Sequence, residues 1–386
     1  MNLEIYHIRG SAFHFGRQGP GEVESNVTFP SDSLFAAMVF CASQLYGSQA
    51  IEEMLEPFRV GKPPFLLSSV FPRAGGVRFY PKPFRSGKIA DPNRHEESLP
   101  PKKVKKIAFV SENIFKSLLN SGSLTEEIKK GVLMQDGSVL ISREEFATLS
   151  SDFRKEPSVT EQRKKTGKAD SEAFGERSLI ETKLIWQRIK RPRVTVDREN
   201  SASTLYFLDE VRFAPHCGLW FGVKRFEDSD ESRDKFDGIL TELSCAGWGG
   251  KRSIGLGNYN YAPEPQITLP DAETSDAVPW VSLSRYLPAA DEIPALSDSH
   301  SAYALDRVGG WLSPEGKAVE RRRNLNLIRE GSVLASGRKA VYGSMADVQP
   351  DYLGTRPVGH PVWRNGYALA VGYPALAEKG TENDKI

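Results

Sequence analysis

An α+β fold is predicted for this 386-residue chain by three features of the sequence. Residues 3–80 read strand, helix, hairpin, and residues 204–261 read hairpin, helix, strand. Between them, a stretch of alternating cations and β-branched residues reads as a projecting β-ribbon. A second set of strands follows a proline- and acid-rich segment. The first two orders join into one interrupted βαββαβ unit, the ferredoxin-like (RRM-like) arrangement. The later strands are assigned to a second such domain. The expected organisation is residues 1–262 as the first domain, with an insertion at about 87–183 and the ribbon at about 184–203. A linker at 263–279, a second domain at 280–376 and a disordered tail at 377–386 complete it.

Composition narrows the class. Hydrophobic residues make up 39% and charged residues 26%, as in soluble globular proteins of two or three domains. The formal net charge is +1, so any polyanion site must come from local charge segregation. Cys41, Cys217 and Cys245 form no Cys-x-x-Cys pair, which argues against a disulfide framework and a zinc site. Met1-Asn2-Leu3-Glu4 lacks the basic start and apolar run of a secretory leader. No stretch reads as a membrane span, and a cytoplasmic location is expected.

Taken in order, Leu3 to Arg9 is the first strand. It enters a glycine-bearing loop, Gly10 to Gly21, that carries His14, Phe15, Gly16 and Arg17. Ser31 or Asp32 is the expected N-cap of a helix whose apolar face is Leu34, Phe35, Met38, Val39, Ala42, Leu45 and Tyr46, with Gly47 as its stop. A short helix spans Ile51 to Phe58. Phe65 to Phe71 and Val77 to Tyr80 form a hairpin around Ala74-Gly75-Gly76. Lys102-Lys103-Val104-Lys105-Lys106 is a lysine run, and Arg154 to Arg177 reads as a mobile loop. In the ribbon, Arg191, Arg193, Thr195 and Asp197 share one edge. Lys190, Val194, Val196 and Arg198 share the other. A cationic ribbon suits a phosphate backbone. Thr204 to Phe213 and Gly218 to Arg225 are expected to pair as a hairpin around Ala214 to Cys217. Phe236, Ile239, Leu240 and Leu243 mark the last helix of this unit.

That helix runs into Ala246 to Gly257, where five glycines (Gly247, Gly249, Gly250, Gly255, Gly257) surround Lys251, Arg252 and Ser253. Bare backbone, two cations and a hydroxyl suit a chain of phosphates. A Walker A loop is excluded: Arg252 stands where Ser or Thr is required, and Cys245 where Gly is required. The dinucleotide fingerprint is excluded because the order here is helix, loop, strand. In a βαββαβ unit this loop and the His14 loop meet on one side of the sheet. Glu231, Asp234 and Asp237 lie on one helix without a histidine, and read as a solvated face.

The segment Gly247 to Gly257 resembles the glycine-rich loop of the RAMP superfamily of CRISPR proteins. Phe13 to Gly16 followed by Phe29 to Phe35 narrows the resemblance to the Cas-five-like group, the family of the fourth Csm subunit of type III-A effector complexes. Thr195 to Arg198 before Leu205 to Phe207, then Gly309 to Trp311, Ile328 to Val333 and His360 to Tyr367, are similar to that family in the same order. The resemblance implies two ferredoxin-like domains and a non-catalytic subunit that holds the 5′ tag of the crRNA. It implies contact with the large signature subunit on one side and a Csm backbone subunit on the other. The ribbon is then a thumb placed where guide and target RNA part. No cofactor and no metal are implied. The expected RNA contacts are Gly247, Gly249, Gly250, Lys251, Arg252, Ser253, Gly255 and Gly257 in one loop. His14 and Phe15 stacking on bases, Gly16 and Arg17 beside them, and Arg191, Arg193, Thr195 and Arg198 on the ribbon complete the set. Two alternatives stand: a RAMP-type crRNA-processing endoribonuclease using His14 as general acid/base, and the equivalent type III-B (Cmr) subunit.

Overall fold

The computed structural model describes residues 1–16, 25–84, 100–120, 123–149, 184–196, 203–273, 279–312, 320–335, 337–350 and 360–374. Strand β1 (Asn2–Arg9) buries Leu3, Ile5, Tyr6, His7 and Ile8, residues of both its faces, because it is paired on both edges within the main sheet. Short ladders follow: β2 (Ala12–Phe13), then β3 (Phe15–Gly16) paired with β4 (Ser25–Asn26).

Helix α1 (Ser31–Arg59) absorbs both helices expected here, and the predicted stop at Gly47 survives as a break inside it, with φ 80. Extended Pro30 holds the cap position. Ser31 and Asp32 are therefore released for tertiary contacts. The Ser31 amide donates to Ser69 Oγ at 2.9 Å and its Oγ accepts from the Arg285 amide at 2.9 Å. Asp32 pairs with Arg364. By length and composition alone α1 is apolar enough to cross a bilayer, but it packs against the last helix of the unit and buries Leu34, Phe35, Met38 and Phe58 in the core.

Strand β5 (Phe65–Leu67) precedes the hairpin of β6 (Phe71–Ala74) and β7 (Val77–Pro81), closed by Gly75-Gly76 as expected. The lysine run forms the exposed helix α2 (Pro101–Lys106). Next come β8 (Phe109–Ser111), α3 (Glu112–Asn120), α4 (Leu124–Lys130), β9 (Val132–Met134), β10 (Val139–Ile141) and α5 (Arg143–Thr148). The described part of the expected insertion extends the main sheet. β8 pairs with β7, and Phe115 of α3 stacks on Tyr80 at 4.5 Å. Arg154 to Arg177 lies outside the described residues.

Strands β11 (Trp186–Val196) and β12 (Ser203–Phe213) form the ribbon, paired antiparallel from Trp186↔Phe213 to Val196↔Ser203. This corrects the hairpin expected between Thr204–Phe213 and Gly218–Arg225. Strand β13 (Cys217–Arg225) pairs instead with β1, β5 and β6. The cause lies in the connection: His216 takes a left-handed φ of 62, and its carbonyl accepts from the Gly75 amide at 2.9 Å. The chain thereby leaves the ribbon for the main sheet.

Helix α6 (Asp230–Ala246) is capped by Ser229, whose side chain accepts from the Ser232 amide, and buries Phe236, Ile239, Leu240 and Leu243 as their spacing predicts. Strand β14 (Asn260–Thr268) closes the sheet, whose order is β14-β1-β13-β6-β7-β8-β10-β9 with β5 on β13. The expected linker therefore begins inside a strand. Pro263 faces Tyr6, and Pro265 sits at a register shift. Both are tolerated because β14 is an edge strand. His7 Nδ1 lies 3.1 Å from Glu264 Oε1. Burial, then Arg73, Arg78 and Arg9, push the His7 pKa down to about 3, so a neutral imidazole stands beside the carboxylate.

The C-terminal half contains β15 (Trp280–Ser282), β16 (Leu305–Val308), β17 (Trp311–Leu312), β18 (Glu320–Arg321), β19 (Leu325–Ile328), β20 (Val333–Leu334), β21 (Met345–Asp347), β22 (Trp363–Asn365) and β23 (Ala370–Gly372). They form the sheet β20-β15-β23 and the pairs β16–β19, β17–β18 and β21–β22. Among the described residues from 279 to 373 there is no α-helix, only a 3-10 turn at Ala290–Ser297. Val281, Leu283, Val333, Leu369 and Val371 join the same core as β1 and α1. Tyr367 Oη donates to the Phe58 carbonyl at 2.5 Å. Part of the C-terminal half thus packs into the core of the N-terminal half, while Trp280, Tyr286, Ile328, Leu334 and Tyr342 form a second cluster.

Candidate nucleic-acid interface

The glycine loop is anchored before it is exposed. Gly247, at φ 75, ends α6 by donating to the Leu243 carbonyl. Trp248 turns inward, 1% exposed, stacked on Phe29 at 5.5 Å and edge-on to Tyr259 at 4.6 Å. Its amide donates to the Gly257 carbonyl at 2.9 Å. Gly257, at φ 83, lies so close that a Cβ there would stand 2.0 Å from the Trp248 carbonyl oxygen. The loop is pinched shut at this point, and Lys251, Arg252, Ser253 and Gly255 project from it, exposed. Lys251 takes a left-handed φ of 62, followed by a 3-10 turn over Arg252–Ile254.

The two glycine-bearing loops meet, as the βαββαβ order predicts. Gly250 donates its amide to the His14 carbonyl at 2.9 Å, and Gly257 donates to the Ala12 carbonyl at 2.9 Å. These amides, with those of Trp248, Ile254 and Gly255, are spent on protein carbonyls. The loop therefore offers side chains more than a cradle of amides.

His14 and Phe15 are buried, which corrects their expected role as base-stacking surfaces. His14 is 6% exposed, and its Nδ1 donates to the Asp209 carbonyl at 2.6 Å. Asp209 Oδ2 in turn accepts from the Ser25 amide at 2.7 Å. His14 is a brace between the loop and the ribbon root, and has no open face for general acid/base work. Phe15, 3% exposed, packs between Phe13 and Phe29. Glycine spacing brought this loop to notice, but nothing local in the sequence distinguishes an aromatic turned inward from one turned outward. Gly16 is exposed in β3. Arg17 and Arg198 lie outside the described residues.

The ribbon has two chemically distinct faces, because directly paired residues project to the same side. One side carries Arg191, Arg193 and Thr195 with Tyr206 and Thr204. The other carries Arg188 and Lys190 toward the root and, toward the tip, Pro192, Val194 and Val196 with Leu205 and Phe207, where Val194, Val196 and Leu205 are more than half exposed. At the root of the cationic side, buried Glu210 accepts from Arg191 Nε and Arg212 Nε, each at 2.7 Å. Lys251 Nζ sits 5.9 Å above the Tyr206 ring, and Leu256 packs with Ala12 and Leu208. The glycine loop and the cationic face of the ribbon are therefore one surface: Lys251, Arg252, Ser253, Tyr206, Arg191, Arg193 and Thr195. Tyr206, Asp209 and Glu210 are not among the residues expected at this surface. Exposed Tyr206 beside Leu205 and Phe207 was the available signal. Among the described residues no three His, Cys, Asp or Glu side chains gather as a metal site.

Residues 275–373 match the family model described as the CRISPR Csm4 C-terminal domain. A protein of Methanocaldococcus jannaschii described as CRISPR system Cms protein Csm4 is 25% identical over 362 residues, 88% of this chain and 86% of its own length. A protein of Thermococcus onnurineus with the same description is 24% identical over 314 residues, 79% of this chain and 81% of its own. Among solved structures, one described as the Csm3-Csm4 subcomplex in the type III-A CRISPR-Cas interference complex has a chain similar in fold, with a TM-score of 0.59 and 20% identity. The match covers 96% of this chain and 99% of that one. The family resemblance read from the sequence is thus met by a family model and by curated relatives along most of the chain.

Proposed function

We propose that this chain, which is related to Csm4 along most of its length and carries the C-terminal domain of that family at 275–373, is the RNA-binding Csm4 subunit of a type III-A CRISPR effector complex. In this reading it holds the 5′ tag of the crRNA in the cytoplasm, between the large signature subunit and a Csm3-type backbone subunit. The relatives' names, and the assembly named for the similar structure, support the complex and the backbone neighbour. A second similar structure, of TM-score 0.52 and 17% identity, is described as a Csm1-Csm4 cassette in complex with cA3; that name supports the large-subunit neighbour.

The fold assigned to the N-terminal half is ferredoxin-like. The strand order β14-β1-β13-β6, with α1 after the first of these strands in the chain and α6 after the third, supports it. The single observation that carries RNA binding is the continuity of the glycine loop with the ribbon through Lys251 and Tyr206. Cations and an exposed aromatic on one surface are the elements of single-strand recognition, with phosphates held by Lys and Arg and bases by rings. The ribbon's apolar side, backed by its cationic side, suits a wedge where guide and target part. The subunit is assigned no catalytic role, since burial removes His14 from solvent.

The test is the doubly substituted Lys251→Ala, Arg252→Ala chain assembled with its neighbours. Guide RNA retention should fall, and the salt dependence of binding should flatten by roughly 0.7 for each phosphate set free. Retention equal to wild type at every salt concentration sinks the assignment. Site-specific cutting of repeat RNA by the chain alone would restore the endoribonuclease alternative.

A further inference from the structure

The chain has six tryptophans. Trp186, Trp220, Trp248 and Trp280 are at most 8% exposed, whereas Trp311 is 50% exposed. Its cross-strand neighbour is Arg321, whose guanidinium carbon lies 4.9 Å from the ring centroid. Both are exposed, so this pair of β17 and β18 displays a large ring with a cation beside it. Arg321, Arg322 and Arg323 are consecutive. The Arg322 amide donates to the Gly310 carbonyl at 2.9 Å, and its Nε is buried with no hydrogen-bond partner among the described residues. Arg364 supports the same turn by donating to the Gly309 carbonyl at 2.9 Å. On β16, Arg307 is exposed and makes no ion pair among the described residues.

We propose that Trp311 and Arg321 form a base-stacking platform for an unpaired nucleotide of single-stranded RNA, with exposed Arg307, four residues before Trp311 in the chain, to meet a phosphate. The site rests on the RNA-binding reading above and extends it to the C-terminal half, away from the glycine loop and ribbon. An exposed indole with a guanidinium at its ring is a sequence-tolerant seat for a base. A protein partner would equally cover a tryptophan. The exposed guanidiniums of Arg307 and Arg321 select a polyanion instead.

The turn that carries Trp311 is tied to the glycine loop through interior contacts. Phe29 stacks on Trp248 of the glycine loop. Three residues later Asp32 holds Arg364, and Arg364 holds Gly309, two residues before Trp311. Phe29 and Asp32 are at most about 11 Å apart by chain length, and Gly309 and Trp311 about 7 Å.

The test measures binding of a short, unstructured, fluorescently labelled RNA to the full-length chain by anisotropy at low and moderate salt. Trp311→Ala should weaken binding about ten-fold with little change in salt slope, and Trp311→Phe should retain most of the affinity. Arg321→Ala should also lower the salt slope. RNA carrying 4-thiouridine should photocrosslink to the Trp311 peptide in the unsubstituted chain, a readout independent of how the variants fold. No RNA binding by the unsubstituted chain sinks the functional reading itself. Binding that falls with Lys251→Ala, Arg252→Ala but not with Trp311→Ala, and without the crosslink, overturns the platform alone. Unchanged RNA affinity with loss of a neighbouring subunit on co-purification assigns Trp311 to a protein interface, and overturns it as well.

Discussion

Gly249 faces the backbone of His14 so closely that a Cβ on it would lie 2.5 Å from the His14 carbonyl oxygen. Its φ of 75 is also one that L side chains rarely adopt. Gly255 has a comparable φ of 87 and nothing within 4 Å. Gly249→Ala should therefore cost about 2–4 kcal/mol, strain plus displaced backbone, while Gly255→Ala should cost only about 1 kcal/mol. Urea midpoints of the two variants check the difference. Equal midpoints would mean that the loops are not locked together.

Asp32 is the carboxylate against which Arg364 is seated, with side chains 1% and 10% exposed respectively. Removing one partner of a buried pair leaves the other charge uncompensated. Asp32→Asn should lower stability by about 3–5 kcal/mol. Equilibrium unfolding measures it, and a loss below 1 kcal/mol, the scale of a surface pair, would mean that Arg364 finds water.

Glu210 gathers Arg191 and Arg212 at the ribbon root from a side chain 3% exposed. Both arginines are more than 40% exposed, so Glu210→Gln lets them turn to water and the stability loss is modest, about 1–2 kcal/mol. The sharper readout is local. Amide exchange across 186–196 and 203–213 should accelerate relative to β1 and β13. Uniform protection would show that backbone pairing alone holds the ribbon.

His7 makes stability depend on acid. Its pKa is about 3 in the fold against 6.5 for the free side chain. Between those values the unfolded chain binds the extra proton, so stability rises with pH across the window and is lost as pH falls from 6.5 towards 3. The slope from this group reaches at most about 1.4 kcal/mol per pH unit. His7→Gln should flatten the urea midpoint across that window. An unchanged profile would assign the acid sensitivity to other groups.

Much of the architecture was legible because it rests on local rules. β1, the Gly75 hairpin, the Phe236–Leu243 helical face and the meeting of the two glycine loops follow from period, caps and connection order. What was hidden is tertiary. Thr204–Phe213 carries the pattern of a strand, but its partner is chosen by the turn at His216, where a left-handed residue bonds back to Gly75. Pro263 and Pro265 read as a linker because proline is scarce in strands, and only the edge position of β14 admits them. In the site, Lys251, Arg252, Arg191 and Arg193 were found from charge and spacing. The inward turn of His14 and Phe15 depends on Asp209 and Phe29, to which no sequence spacing points.

The two-sided pairing of β1 sets the timetable of assembly on the ribosome. Residues 2–9 leave the exit tunnel first, yet their two neighbours are residues 217–225 and 260–268. At roughly 5–20 residues per second, the first strand waits about 10–50 s with both edges bare. Until Gly250 and Gly257 are made, the Gly10–Gly16 loop has no glycine loop to lean on. The ribbon, residues 186–213, can pair earlier, but the surface that joins it to the two loops is completed late, and a chain truncated before Asn260 leaves one edge of β1 unpaired.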